Sequence, residues 1–159
     1  MLALIHQRIA WMDEVGIRQW NVTGYDTVYP LSYYEQARQQ GDVFVLAEAD
    51  TGRILCAAVL KRTDERWADH PGAEEPALYV HNFAARLGET GAGALFLHRA
   101  EQYAAGQGMK YLRLDSADDN PALTRYYEQK GYLPVGFCVD GPYSGILRQK
   151  LLPPTDRQQ

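Results

Sequence analysis

Cysteine is scarce in this sequence, with only Cys56 and Cys138 present, each inside an apolar run of β-forming residues. Two separated thiols make no disulfide framework, and neither has the cationic surroundings that create a reactive thiolate. Both read as reduced core residues. Long hydrophobic runs are also missing: none nears the roughly 20 residues of a membrane span. The opening "MLALIHQRIAWMDEVG" meets charge too soon for a secretory signal, so a cytoplasmic protein is expected. Positive charge is not in excess, since 16 Lys and Arg stand against 20 Asp and Glu for a net charge of −4. Scattered among acids, these cations form no stripe for nucleic acid or anionic lipid, and neither is an expected partner. His6, His70 and His98 lie far apart without metal-ligand spacing, so no metal is expected. What remains is a chain of 159 residues, 46% of them hydrophobic, enough to fill the core of one ordinary domain.

Leu2, Ile5, Ile9, Met12 and Val15 recur at helical spacing, which predicts an amphipathic helix from 2 to about 15, closed by Gly16. "GIRQWNVTGYDTVYP" reads as a turn-rich connection. "LSYYEQARQQG" suits a short second helix with Gly41 past its end. "VFVLAEA" and "ILCAAVLKRT" are β-rich and joined by "DTGR", a hairpin pattern. A polar loop, "DERWADHPGAEEP", leads to the β-prone "ALYVHNFAA", then to a glycine-punctuated turn and a helix from about Gly93 to Ala105. "KYLRLDSA" is another strand. In "DNPALTRYYEQKG", Asn120 before Pro121 starts a helix that Gly131 ends. "YLPVGFCVD" and "GILRQKLL" close the fold as strands with "GPYS" as their turn, and "PPTDRQQ" is a tail.

The glycine turn, "GETGAG" from Gly88 to Gly93, invites two readings. A helix N-terminus carries unpaired amides and partial positive charge, so glycines there let phosphate oxygens approach the backbone. Glycine is equally the default for a tight turn with no ligand. The spacing reverses the G-x-G-x-x-G order of dinucleotide folds, and no lysine follows as in a P-loop. Further on, "NPALTRYYEQKGY" joins a capped helix carrying adjacent tyrosines to a strand.

Together the two segments resemble the GNAT superfamily of acyl-CoA-dependent N-acetyltransferases. Their glycine motif is Gln or Arg, two residues, Gly, one residue, then Gly or Ala, matched here by Gly88-Glu89-Thr90-Gly91-Ala92-Gly93. Their later helix runs from Asn to Tyr-Glu, two residues, Gly and an aromatic, matched by Asn120 and by Tyr127-Glu128-Gln129-Lys130-Gly131-Tyr132. The likeness covers nearly the whole chain. It implies a single α/β (α+β) domain over 1–152, ahead of a tail at 153–159. The implied sheet is mixed and mostly antiparallel, flanked by helices, with splayed central strands. The sequence departs from the pattern in three places: Gly88 replaces Gln or Arg, the loop from Ala85 to Gly91 is short by about two residues, and no strand precedes the first helix.

The resemblance further implies acetyl-CoA as acyl donor and direct attack by a primary amine within a ternary complex. Phe83 and Ala85 would make main-chain contacts to the pantetheine arm, and the amides of Glu89, Thr90, Gly91, Ala92, Gly93 and Ala94 would take the pyrophosphate. Asn120 would lie near the arm, with an ordinary N-cap as the other reading. Tyr127 matches the tyrosine beside the coenzyme sulfur, able to protonate the leaving thiolate. His81 is the candidate base for the acceptor, a structural histidine being the alternative; Asp115 is a weaker candidate. Trp20, Tyr25, Tyr29 and Trp67 suit an acceptor pocket or plain packing. A homodimer is compatible with this reading. A non-catalytic acyl-CoA-binding module is the competing function.

Overall fold

The computed structural model describes residues 1–154. The expected amphipathic helix forms as α1, Leu2–Val15. Ile5 is fully buried and Met12 nearly so, whereas Val15, in the last turn, is 50% exposed. The connection that follows is more ordered than its turn-rich composition predicts: it holds a 3-10 turn, Trp20–Val22, and a four-residue helix α2, Tyr25–Val28. Aromatic packing supplies the order, because the tilted rings of Trp20, Tyr25 and Tyr29 pack in series with centroids 5.2 and 5.0 Å apart. After Pro30 comes α3, Leu31–Gln40, ended by Gly41.

The strands are β1 (Val43–Ala47), β2 (Ile54–Lys61), β3 (Ala77–Ala85), β4 (Tyr111–Ala117), β5 (Leu133–Asp140) and β6 (Tyr143–Leu151), with α4 (Ala92–Gly106) and α5 (Pro121–Gln129) between them. They form one six-stranded sheet ordered β1-β2-β3-β4-β6-β5. The fold is thus α+β, with a mixed, mostly antiparallel sheet and helices flanking it. β6 begins two residues earlier than its sequence suggests. Asp140 pairs with Tyr143, and Gly141 at φ 56° makes the tight two-residue hairpin turn that left-handed backbone allows.

The chain divides into two compact units, Met1–Leu60 with His81–His98, and Lys61–Val80 with Arg99 onward. In the first unit, β1 and β2 form an antiparallel hairpin with Val43 opposite Val59 and Leu46 opposite Cys56. Leu4, Ile5, Tyr25, Tyr34, Ala37, Ala57, Val59 and Ala84 make its buried core. Each large side chain removed from water there contributes about 1.5–3 kcal/mol.

In the second unit, the head of β3 pairs in parallel with β4, Ala77 against Tyr111 through Tyr79 against Arg113. β6 runs antiparallel to both β4 and β5. Its core cluster is Trp67, Ala77, Tyr79, Cys138 and Leu147. Burial along α4 follows the helical repeat, through Phe96 and Leu97 in the stretch that belongs to the first unit and Ala100 and Ala104 in the stretch that belongs to the second. Pro153 and Pro154 lie beyond β6; the rest of the expected tail lies outside the described residues.

Candidate active site

In the first unit the chain leaves β3 under close control. The Ala85 carbonyl accepts from Arg8 Nε at 2.6 Å, and the Arg86 amide donates to the Leu55 carbonyl at 2.7 Å. Arg86 Nε donates to the Ile54 carbonyl at 2.9 Å, and the Leu87 amide to Gln7 Oε1 at 3.2 Å. The turn then uses Gly88 at φ 80° and Gly91 at φ 85°. Neither has a heavy atom within 4 Å of where a Cβ would stand, so glycine is needed for the left-handed backbone, and the space beside it is open.

The Ala92 amide closes the turn on the Glu89 carbonyl at 3.2 Å, and Leu95 to Gly91 is the first full helical bond, at 3.0 Å. First-turn amides, those of Gly93 and Ala94 among them, have no acceptor one turn back inside α4. The one acid in the turn is already matched: Glu89 pairs with Arg53 at 2.7 Å, which also holds Glu48 at 2.6 Å. Thr90 is exposed. A fifteen-residue helix thus opens on a glycine turn whose acid is neutralised, an arrangement suited to an anion.

Within β3 itself, Asn82 has φ 54°, the sole non-glycine with positive φ among the described residues. That conformation interrupts the alternation predicted for His81 and Asn82. The Asn82 side chain turns to the helices instead. Its Oδ1 accepts from the Tyr33 hydroxyl at 2.9 Å, and its Nδ2 donates to the Tyr25 hydroxyl at 2.6 Å. The Tyr25 and Tyr34 hydroxyls share a hydrogen bond at 2.5 Å. Burial holds both Tyr25 and Tyr34 well above the ordinary tyrosine pKa. His81 is half-buried, and Phe83 stacks on Phe96 at 5.2 Å.

In the second unit, Asn120 is the N-cap of α5, its Oδ1 accepting from the Leu123 amide at 3.0 Å. Tyr127 on this helix is buried, with the rings of Tyr126 and Tyr132 at 5.3 and 5.9 Å. Burial raises its pKa, Tyr126 and Asp115 add to the shift, and Arg148 opposes it. The Tyr127 hydroxyl therefore stays protonated at neutral pH and can donate. Asp115 is occupied by the Tyr143 hydroxyl at 2.6 Å and by Arg66 at 3.2 Å.

Trp67 is not a pocket wall: it is 1% exposed and lies under the Arg113 guanidinium, 4.6 Å away. Both cysteines are buried free thiols, pushed up by burial to about 11 and inert at neutral pH. The sequence reading missed Arg113, Arg148 and the Asn82 clamp. The only local signal was a charged residue where "YLRLDSA" and "GILRQKLL" otherwise alternate apolar residues.

Residues 6–132 match the profile of the Acetyltransferase (GNAT) family. No curated protein matches the chain. Among solved structures, an acetyltransferase of the GNAT family from Listeria monocytogenes 4b F2365 is similar, with TM-score 0.73 and 22% identity over 94% of this chain and 86% of that one. Another from Streptococcus agalactiae 2603 gives TM-score 0.75 and 20% identity over 96% and 88%. A proposed streptothricin acetyltransferase from Bacillus anthracis str. Ames, in complex with acetyl coenzyme A, gives TM-score 0.53 and 17% identity over 70% and 62%.

Proposed function

The chain belongs to the GNAT acetyltransferase family, and from that premise we propose that it transfers an acetyl group from acetyl-CoA to a primary amine by direct attack, residues 1–152 acting as one catalytic domain. The observation that carries this reading is the turn at the head of α4. Left-handed Gly88 and Gly91, with open space beside them, let a diphosphate reach main-chain amides while the helix dipole favours its charge. The amides from Glu89 to Ala94 take the diphosphate, Gly93 and Ala94 foremost because the Glu89 and Ala92 amides already donate to the Arg86 and Glu89 carbonyls, and main-chain groups of Phe83 and Ala85, with Asn120, hold the pantetheine arm. The Asn82 kink supports the β3 part of this assignment, because a left-handed residue takes backbone out of regular pairing.

As the new C–N bond forms and the C–S bond breaks, the Tyr127 hydroxyl gives its proton to the departing sulfur. His81 takes the proton that the acceptor amine loses. Tyr127 is the best-supported donor, being buried and protonated, and its phenol does not need solvent to act.

Two measurements test the proposal. Acetyl-CoA at a hundred times its Kd should raise the melting temperature, corresponding to about 2.7 kcal/mol of added stability; no shift sinks the reading. Thiol release should then be followed with spermidine, lysine, streptothricin and short peptides bearing a free N-terminus. Tyr127→Phe should lower turnover by about a hundredfold with acetyl-CoA affinity nearly unchanged. Binding without turnover for any amine would favour a non-catalytic acyl-CoA-binding module, for which the missing Gln or Arg at Gly88 speaks.

A further inference from the structure

Arg148, in the middle of β6, has no solvent exposure. Its Nε donates to Ser116 Oγ at 2.9 Å and its Nη2 to Thr124 Oγ1 at 3.1 Å. Nη1 reaches the Tyr132 carbonyl at 3.5 Å and stands 3.6 Å from the half-exposed carboxylate of Glu128. A guanidinium that gives up water for neutral acceptors and one distant carboxylate is costly, and an uncharged side chain of similar volume packs such a place at lower cost. The retained charge therefore asks for a role.

The contacts have a pattern. Ser116 belongs to β4, while Thr124 and Glu128 belong to α5. Thr124 precedes Tyr127 by three residues and shares its helix face. Tyr132 follows α5, and its amide closes back on the Tyr127 carbonyl at 3.0 Å. One side chain thus grips the helix on both sides of Tyr127 and ties it to the sheet.

We propose that Arg148 is a positioning residue for acetyl transfer, fixing α5 so that the Tyr127 hydroxyl keeps one orientation and setting a permanent positive charge against it. The inference rests on the reading of Tyr127 as proton donor. The groups that bear on Tyr127 are Tyr126 on its own helix, Tyr132 just beyond, Asp115 on β4 and Arg148 on β6. Burial, Tyr126 and Asp115 favour the neutral phenol, and Arg148 pulls the other way. A cation there makes a buried hydroxyl a better donor. Lysine can keep the charge but not the fork that reaches Ser116, Thr124 and Tyr132 together.

The test uses the full chain, acetyl-CoA and the panel amine that releases thiol fastest. Arg148→Met should lower kcat by about tenfold while acetyl-CoA affinity stays within about twofold. With 3,5-difluorotyrosine at position 127, the midpoint of the fluorine NMR titration should rise by about one pH unit in Arg148→Met and return in Arg148→Lys. An unmoved midpoint in Arg148→Met overturns the inference. Should that variant not fold, Thr124→Val decides, because it removes one anchor and leaves the charge. A lowered kcat at unchanged affinity supports positioning, and an unchanged kcat overturns it. Full turnover by Tyr127→Phe would instead sink the donor reading itself, an outcome these Arg148 measurements do not produce.

Discussion

The two compact units immobilise their key backbone by different chemistry. In the first, neutral groups do it: the Tyr33 and Tyr25 phenols, the latter bonded to Tyr34, hold the side-chain amide of Asn82, whose backbone is left-handed. In the second, buried guanidinium groups do it. Arg113 donates to the Tyr79 hydroxyl and the Gly72 carbonyl, both at 2.8 Å, and to Gln149 at 3.2 Å, while Arg148 grips α5. The difference follows from reach and donor count. A single strand kink beside short helices needs one donor and one acceptor, which an Asn amide provides. Tying a loop or a helix to two strands needs several donors in a fixed fork, which arginine provides at the cost of burying charge.

The comparison sharpens first at Arg113. Unlike Arg148, Arg113 lies over the rings of Trp67, Tyr79 and Tyr111 at 4.6, 5.6 and 5.1 Å, which offsets the cost of burying its charge. Arg113→Met loses these contacts and leaves the Tyr79 hydroxyl and the Gly72 carbonyl without their donor, and should destabilise the protein by about 4 kcal/mol, since hydrogen bonds to charged groups are worth about 1.5–3 kcal/mol each. Equilibrium denaturation reads this directly, and a loss near zero would mean that the buried cation contributes nothing over a packed apolar chain. Next comes the neutral clamp. Asn82→Gly keeps the backbone conformation and loses two hydrogen bonds, about 2 kcal/mol. Asn82→Ala adds the left-handed penalty of about 1 kcal/mol. If the two variants are equally stable in urea titration, the kink is not held under strain.

The smallest effect concerns pH. Tyr25 and Tyr34 have folded pKa values raised above the ordinary 10.0 by burial. Above pH 10 the unfolded chain releases these protons while the folded chain keeps them. Their contribution is therefore complete below pH 10 and is lost as pH rises from there toward the folded values. Tyr34→Phe should make the alkaline fall in stability shallower, as followed by denaturation midpoints between pH 9 and about 11; an unchanged slope would remove the tyrosines as its cause.

Much of the fold was legible locally. The Leu2, Ile5, Ile9, Met12 spacing, the Asn120-Pro121 helix start and the glycines after helices are short-range signals, and each element they predicted is present. The glycine turn was legible for the same reason, because positive φ at Gly88 and Gly91 is a property of a few consecutive residues. α2 was not, since four residues make no helical period and its order comes from the packing of the tilted Trp20, Tyr25 and Tyr29 rings. Trp67 was open to two readings, pocket or packing, because its loop is polar in composition, and only its burial in the core cluster beneath the Arg113 guanidinium decides for packing.

By itself, then, the sequence determined the order and limits of most elements, the caps, the glycine turn and, through two spaced motifs, the family. Tertiary structure alone decided where charge is buried and which strand residue bends. Arg148 meets Ser116 and Thr124, and Asn82 meets Tyr25 and Tyr33, across dozens of intervening residues. Hydrogen-bond partners so far apart along the chain are chosen by packing, whose outcome no local pattern of residue types encodes.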